Sequence, residues 1–226
     1  MAETLSIIIP TLNEADRIDS LLASLAPLRA QGHELIVVDG GSADGTAERA
    51  RSGADRVCSA PRGRALQMNA GAAIAGGSVL LFLHADTELR PTAAEAVLDG
   101  LGRSGRDWGR FDVDIAGRHP MLRVIAWCMN HRSRLSGIAT GDQALFVRRA
   151  TFWAVGAFPD QPLMEDIELS KRLRRVSRPL CLRTRITTSG RRWEAHGVWR
   201  TIGLMWLLRW LYWRGVSPER LASRYQ

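Results

Sequence analysis

An open α/β sheet, mostly parallel and flanked by helices, is the fold class this sequence predicts, and three observations carry the prediction. Near-continuous apolar runs recur at residues 5–9, 35–38 and 79–83, the first of them rich in β-branched isoleucine, and such runs mark strands buried on both faces, as parallel strands are. Segments with apolar residues at helical spacing alternate with them. The chain also has the material for one sizeable core: of its 226 residues 46% are hydrophobic and 24% charged, too apolar for disorder. A single domain over residues 1–226 is expected.

The elements follow in order. Leu5-Ser6-Ile7-Ile8-Ile9 is the first strand, closed by Pro10, and residues 14–30 then place Ile18, Leu21, Leu22, Leu25 and Leu28 on one helical face until Gly32 breaks the pattern. Residues 35–38 form a strand ending at Asp39-Gly40-Gly41-Ser42. A short helix over 46–51, a short strand over 56–58 and a helix over 64–74 come next. The strand at 79–83 ends at His84-Ala85-Asp86. Ligands of such sheets bind at the carboxyl ends of the strands, so the loops after the first, second and fourth strands are expected to line one crevice. Beyond Asp86 the alternation is lost. Helices are expected over 91–101, 121–130 and 165–175, and strands over 108–115 and 144–147. A nearly all-apolar helix over 199–213 carries Trp199, Ile202, Trp206, Trp210 and Trp213 along one side.

Composition excludes several function classes. Cys58, Cys128 and Cys181 are far apart without C-x-x-C spacing, so neither a zinc ribbon nor a disulfide framework is indicated. Met1-Ala2-Glu3-Thr4 lacks a positive n-region, and Pro10 interrupts the first apolar run, so no secretory leader is expected and the location reads as cytoplasmic. The most apolar stretch, residues 203–213, contains Arg209 and is shorter than the ~20 residues needed to span a bilayer. The formal net charge of +8 is unevenly placed: 17 of the 23 acidic side chains lie in residues 1–147, whereas 16 of the 31 basic ones lie in residues 148–226. Such asymmetry points to an end that meets phosphates, nucleic acid or an anionic membrane.

Four groups of residues could carry chemistry. Asp39, after a buried strand and before two glycines, could accept hydrogen bonds from a ribose or base, or simply form its own turn. His84 and Asp86, at i and i+2 at a strand end, could hold Mg²⁺ or Mn²⁺ against a diphosphate; alternatively Asp86 caps the next helix. Glu165 and Asp166 open a helix whose far end is Lys171-Arg172-Leu173-Arg174-Arg175, which suits both the helix dipole and a general base beside a crevice. Residues 171–192 hold nine basic side chains, a phosphate clamp or a solvated face. His196, which follows them, is a candidate metal ligand.

Taken together, these segments resemble the family 2 glycosyltransferases with the GT-A fold, a Rossmann-like sheet. The landmarks are Ser6-Ile7-Ile8-Ile9-Pro10-Thr11-Leu12-Asn13-Glu14, Ile36-Val37-Val38-Asp39-Gly40-Gly41-Ser42-Ala43-Asp44-Gly45-Thr46, Gly63-Arg64-Ala65 with Asn69-Ala70-Gly71, His84-Ala85-Asp86, and Phe158 followed by Glu165-Asp166-Ile167-Glu168-Leu169 and Arg172-Leu173. The compact size and the closing tryptophan-rich helix look like the small bacterial branch, some of whose members are named as carotenoid-acid glycosyltransferases. The resemblance implies a nucleotide-sugar-binding half (1–90), an acceptor and catalytic half (91–195) and a C-terminal helical segment (196–226). On the donor side it implies Pro10, Thr11, Leu12, Glu14, Asp39, Arg64, His84 and Ala85. Asp86 would be the last position of the family's Asp-x-Asp metal motif, with His84 replacing the first aspartate. Asp166 would be the catalytic base, with Glu165 its neighbour. Trp108, Arg110 and Gly141-Asp142-Gln143 would build the acceptor side.

The implied reaction is inverting transfer from a nucleoside-diphosphate sugar to an acceptor hydroxyl, with Mg²⁺ or Mn²⁺ as cofactor. A nucleotidyltransferase is the rival of related fold, although the glycine-rich, Arg-containing loop it needs is replaced by Pro10-Thr11-Leu12-Asn13-Glu14. A basic nucleic-acid-binding protein is the rival from another class; the acidic first two-thirds argues against nucleic acid as a partner. Arginine beside tryptophan and leucine over 199–214 suits a peripheral contact with the inner face of the cell membrane and a lipid-linked acceptor. A core position or a homo-oligomer interface would suit the same helix.

Overall fold

The computed structural model describes residues 3–225. Its first half alternates strand and helix: β1 (Leu5–Thr11), α1 (Ala15–Ala30), β2 (Glu34–Asp39), α2 (Thr46–Ala50), β3 (Arg56–Ser59), α3 (Arg64–Ile74) and β4 (Val79–Phe82). The second half runs β5 (Thr87–Glu88), α4 (Ala93–Ser104), β6 (Trp108–Ala116), α5 (Met121–Ser136), β7 (Phe146–Arg148), α6 (Arg149–Ala154), α7 (Glu165–Leu173), β8 (Leu180–Ser189), α8 (Arg191–His196), α9 (Val198–Trp213) and α10 (Pro218–Tyr225). All eight strands form one sheet in the order β3-β2-β1-β4-β7-β6-β8-β5.

The sheet is parallel across β3-β2-β1-β4 and again between β6 and β8, while β7 runs against both its neighbours and β5 runs against β8. The apolar runs explain the first half. Ile7 and Ile9 face one apolar layer with α1 and α4, and Ile8, Ile36 and Val38 face a second layer with α3 and Phe152. Strands sandwiched this way have no solvent face, which is why their sequences do not alternate.

α3 lies unusually close to the sheet because of Gly71. A Cβ there would come 2.5 Å from Ile8 Cγ2 and 3.0 Å from Val38 Cγ2. Gly71→Ala is therefore expected to lower stability by about 1–3 kcal/mol, the usual cost of overpacking, in urea unfolding followed by circular dichroism.

One expectation about elements needs correction. The basic run of residues 171–192 hides β8, which pairs with β6 over eight residues with a register shift after Phe111. Its arginines Arg183 and Arg185 are exposed while Ile186 and Thr188 are buried, so charge on one face masked a strand whose other face is core. The expected apolar helix is present as α9, with its tryptophans along one side: Val198, Thr201 and Leu208 are buried, whereas the tryptophans face solvent. No helix among the described residues is long and apolar enough to cross a membrane.

Candidate active site

At the carboxyl ends of β1 and β4 lies a cleft of about 830 Å³. Pro10, Thr11, Leu12 and Glu14 form one wall, Arg62, Gly63 and Arg64 at the head of α3 the next, and His84, Ala85 and Asp86 the floor. Asp142 and the α8 residues Arg191, Arg192, Trp193 and His196 close the far side with Tyr225 of α10.

The loop after β2 does not line this cleft; it braces the loop that does. Asp39 is buried, and its carboxylate accepts from the amides of Gly41 and Ser42, each at 2.9 Å, and from the Ser42 hydroxyl. In this structure Asp39 serves its own turn. From that turn the Ser42 hydroxyl accepts from the Asn13 amide at 2.8 Å, and the Ala43 amide donates to Asn13 Oδ1 at 3.0 Å. Asn13 holds a left-handed φ of 54°, a conformation asparagine tolerates better than most residues.

Gln67 is a site residue that sequence reasoning missed. Buried on α3, its side-chain amide donates to the carbonyls of Thr11 and Val38, both at 2.8 Å. It ties together the ends of β1 and β2. The available signal was an amide side chain in the inward stripe of an otherwise apolar helix, Ala65, Met68 and Ala72.

His84 rests on Gly141. A Cβ at Gly141 would lie 2.6 Å from the imidazole Cε1 and Nε2, so only glycine admits the ring here. Its Nδ1 sits 3.6 Å from Asp142 Oδ1. Burial works against ionisation of Asp142, but His84, Arg64 and Arg192 outweigh it and hold the carboxyl below the usual range. His84 is thus engaged with Asp142, and Asp86 is the carboxylate of the floor.

Asp166 stands in the first turn of α7, next to Met164, whose φ of 67° turns the chain into the helix. Its Oδ2 accepts from the Gly141 amide at 2.9 Å and its Oδ1 from the Ile167 amide at 2.7 Å. Burial and the neighbouring Glu165 push its carboxyl up to about 6, against the opposing pull of the Gly141 amide and Arg64. Glu165 itself is buried. Burial also opposes the charge of Arg64, yet the fields of Glu165, Asp142 and Asp166 more than offset it and secure its protonated form. The ensemble is a carboxylate poised near neutrality beside a cationic cleft, which is the equipment of a general base next to a departing anion.

Three residues expected on the acceptor side lie behind it. Trp108 is fully buried, its indole donating to the Ser177 carbonyl at 2.9 Å. Arg110 is 0% exposed. It pairs with Asp112 and donates to the Asn130 carbonyl at 3.0 Å. Gln143 is also buried, donating to Ser133 Oγ at 3.1 Å and so pinning the Gly141–Gln143 turn to α5. The resemblance placed these residues on a binding surface; their partners are internal, as burial requires. Gly141 and Asp142 do reach the site.

Of the nine basic side chains in residues 171–192, only Arg191 and Arg192 line the cleft. The Arg192 guanidinium stacks on the Tyr225 ring at 3.6 Å and donates to the Tyr225 carbonyl at 2.9 Å. Nothing in local spacing could have announced Tyr225, since only the tertiary fold brings α10 to the cleft.

A divalent cation would find Asp86 and His196 in the same cleft, while no cluster of three or more His, Cys, Asp or Glu among the described residues forms a closed cage. That donor set fits Mg²⁺ or Mn²⁺ held largely through substrate phosphates, since Mg²⁺ is commonly bound by one or two carboxylates plus phosphate oxygens.

Comparison with known proteins identifies the fold and the family. A relative, glucosyl-3-phosphoglycerate synthase of Mycolicibacterium paratuberculosis, is 35% identical over 148 residues, 64% of this chain and 36% of that protein. The chain therefore spans about a third of that relative's length. Residues 1–349 of S. aureus TarS in complex with UDP superpose with a TM-score of 0.67 at 20% identity, covering 82% of this chain and 60% of that one. Glucosyl-3-phosphoglycerate synthase from Mycobacterium tuberculosis, in complex with Mn²⁺, UDP and glucosyl-3-phosphoglycerate, gives a TM-score of 0.60 at 22% identity, covering 83% and 71%. The model of the Glycosyl transferase family 2 matches residues 6–158, more than half of the sequence, including the cleft residues from Pro10 to Asp86, so the chain belongs to glycosyl transferase family 2.

Proposed function

We propose that the protein transfers a sugar from a nucleoside-diphosphate donor to an acceptor hydroxyl with inversion, using Asp166 as general base. The observation that carries this reading is the Asp166 carboxyl, pushed up to about 6 and held by the amide of Gly141, the neighbour of the cleft residue Asp142. In the reaction Asp166 takes the proton of the acceptor hydroxyl, and the oxygen bonds to the anomeric carbon as the bond from that carbon to the diphosphate breaks. A single displacement inverts configuration. The diphosphate departs with the electron pair, and Arg64, Arg191 and Arg192 offer charge to it. Glu165 raises the basicity of Asp166 by its own charge.

Pro10, Thr11, Leu12, Glu14, Arg64, His84 and Ala85 are assigned to the donor, and Gly141 and Asp142 to the acceptor, with Asp39 supporting the donor wall from behind. Mg²⁺ or Mn²⁺ on Asp86, with His196 as a further ligand, would supply positive charge to the diphosphate. A lipid-linked acceptor presented at the inner face of the membrane belongs to this reading, supported by Ile115, Trp193 and Met205 on the cleft wall.

A thermal-shift series with UDP-, GDP- and dTDP-sugars, each with and without Mn²⁺, tests the donor assignment. A ligand at 100 times its Kd stabilises the native state by about 2.7 kcal/mol, and each kcal/mol moves the midpoint of a chain this size by about 2–4 °C. One donor should shift the melt, more so with Mn²⁺. No shift with any donor overturns the proposal.

A further inference from the structure

The outer face of α9 is the feature that sugar transfer leaves unused. Trp199, Trp206, Trp210 and Trp213 are 69%, 74%, 53% and 80% exposed, which for the bulkiest apolar side chain is a large surface left to water. At 100° per residue these four positions fall within about 60° of arc. Arg200 and Arg214 flank the stripe on one side and Arg209 on the other, and the Arg214 guanidinium lies 5.5 Å from the Trp210 ring centre. The opposite face of α9 is firmly seated: Leu208 packs with Leu163, Met164 and Leu221, and the Tyr212 hydroxyl lies 3.3 Å from Glu168 of α7. Thr201 and Met205 of the same helix line the cleft.

We propose that this face is a membrane foot that docks the protein onto a bilayer bearing anionic headgroups. Charge complementarity selects that occupant. α9 contains no acidic residue, and residues 191–226 hold seven arginines against Glu194 and Glu219. A second copy docked on the same face would set arginine against arginine with no carboxylate on the helix to receive it. Lipid phosphates receive the arginines while indoles settle at the headgroup level, where tryptophan concentrates. The foot stands about one helix diameter, roughly 10 Å, from the cleft that shares α9. The inference adds a partner to the proposed reaction, yet the contact stands apart from it: failure of every donor to bind would leave the contact intact.

Flotation of the full chain tests it, with vesicles of phosphatidylcholine alone and of phosphatidylcholine mixed with phosphatidylglycerol. The protein should float with the mixed vesicles at low salt and be released as salt rises. Removing any one of the three arginines should weaken binding about fivefold, the equivalent of ~1 kcal/mol per basic residue near the surface. The triple variant Trp206→Ser, Trp210→Ser, Trp213→Ser should stay in the soluble fraction with an unchanged melting temperature. Should that variant misfold, quenching of tryptophan emission by brominated lipid reads the contact in the unaltered protein. The proposal is overturned if the unaltered protein remains soluble with both vesicles, if brominated lipid leaves its emission unquenched, or if light scattering without lipid shows copies associating through these tryptophans.

Discussion

Asp166→Asn should lower sugar transfer by roughly 10²–10⁴-fold, the usual contribution of a positioned base, while donor binding in the thermal-shift series stays within error. The asparagine keeps the shape and one acceptor oxygen for the Gly141 amide but presents its NH2 group to the Ile167 amide, so unchanged donor binding is the readout that separates proton transfer from positioning. The pH dependence follows from the same group. A base must be ionised, so turnover of the parent should fall as pH drops below about 6. Stability runs the other way. Because the folded-state carboxyl is raised from 3.8 to about 6, the folded protein binds more protons than the unfolded chain in that window, and stability is lost as pH rises through it. Asp166→Asn has no such loss. Its melting temperature should match or exceed the parent's above pH 6, and the gap should close toward pH 4. A variant that is inactive because it is unfolded would show the opposite, and unchanged turnover would remove Asp166 from the mechanism.

The second large effect concerns the buried charges behind the acceptor loop. Asp112→Ala is expected to cost about 3–5 kcal/mol in urea unfolding, because it strands Arg110 in the core without its counter-charge. Arg110 is fully buried and its Nε already lacks a partner, while Asp112 also receives Arg134 Nη2 at 2.6 Å. Removing the carboxylate leaves two guanidiniums facing each other. Arg110→Leu combined with Asp112→Ala deletes the stranded charge and should recover part of the loss. If the double variant is no more stable than Asp112→Ala, the cost is one of volume and not of charge.

The fate of Arg110 also shows what could be read from residues alone. β1, β2 and β4 were legible because burial on both faces leaves an uninterrupted apolar run, and α3 because its inward positions repeat at helical spacing. The landmark residues Asp86, Arg64 and Asp166 were legible by type and order; Asp86 and Arg64 line the cleft, and Asp166 stands behind its lining, bonded to the Gly141 amide next to Asp142. Arg110 and Trp108 were placed on the acceptor side by resemblance alone, and a polar group at such a position can serve either a ligand or an internal partner. Here the partners are Asn130 and Asp112 for one and Ser177 for the other. Only the packed chain distinguishes these cases. β8 was hidden for a different reason: its arginines sit on the exposed face, and charge dominates any short window. The wall built by Arg192 and Tyr225 joins residues 33 apart through a stack that no periodicity encodes.

The two hydrogen bonds of Gln67 divide the cleft into halves with different duties. Because one side chain grips the carbonyls that end both β1 and β2, the wall from Pro10 to Glu14 is ordered during folding, and a nucleotide arriving there does not have to organise it. The opposite wall hangs on the stacked pair of Arg192 and Tyr225, which joins α8 to the last turn of α10. The side that can yield is therefore the α8 wall, and amide exchange should be slow at the ends of β1 and β2 and fast across Arg191 to His196.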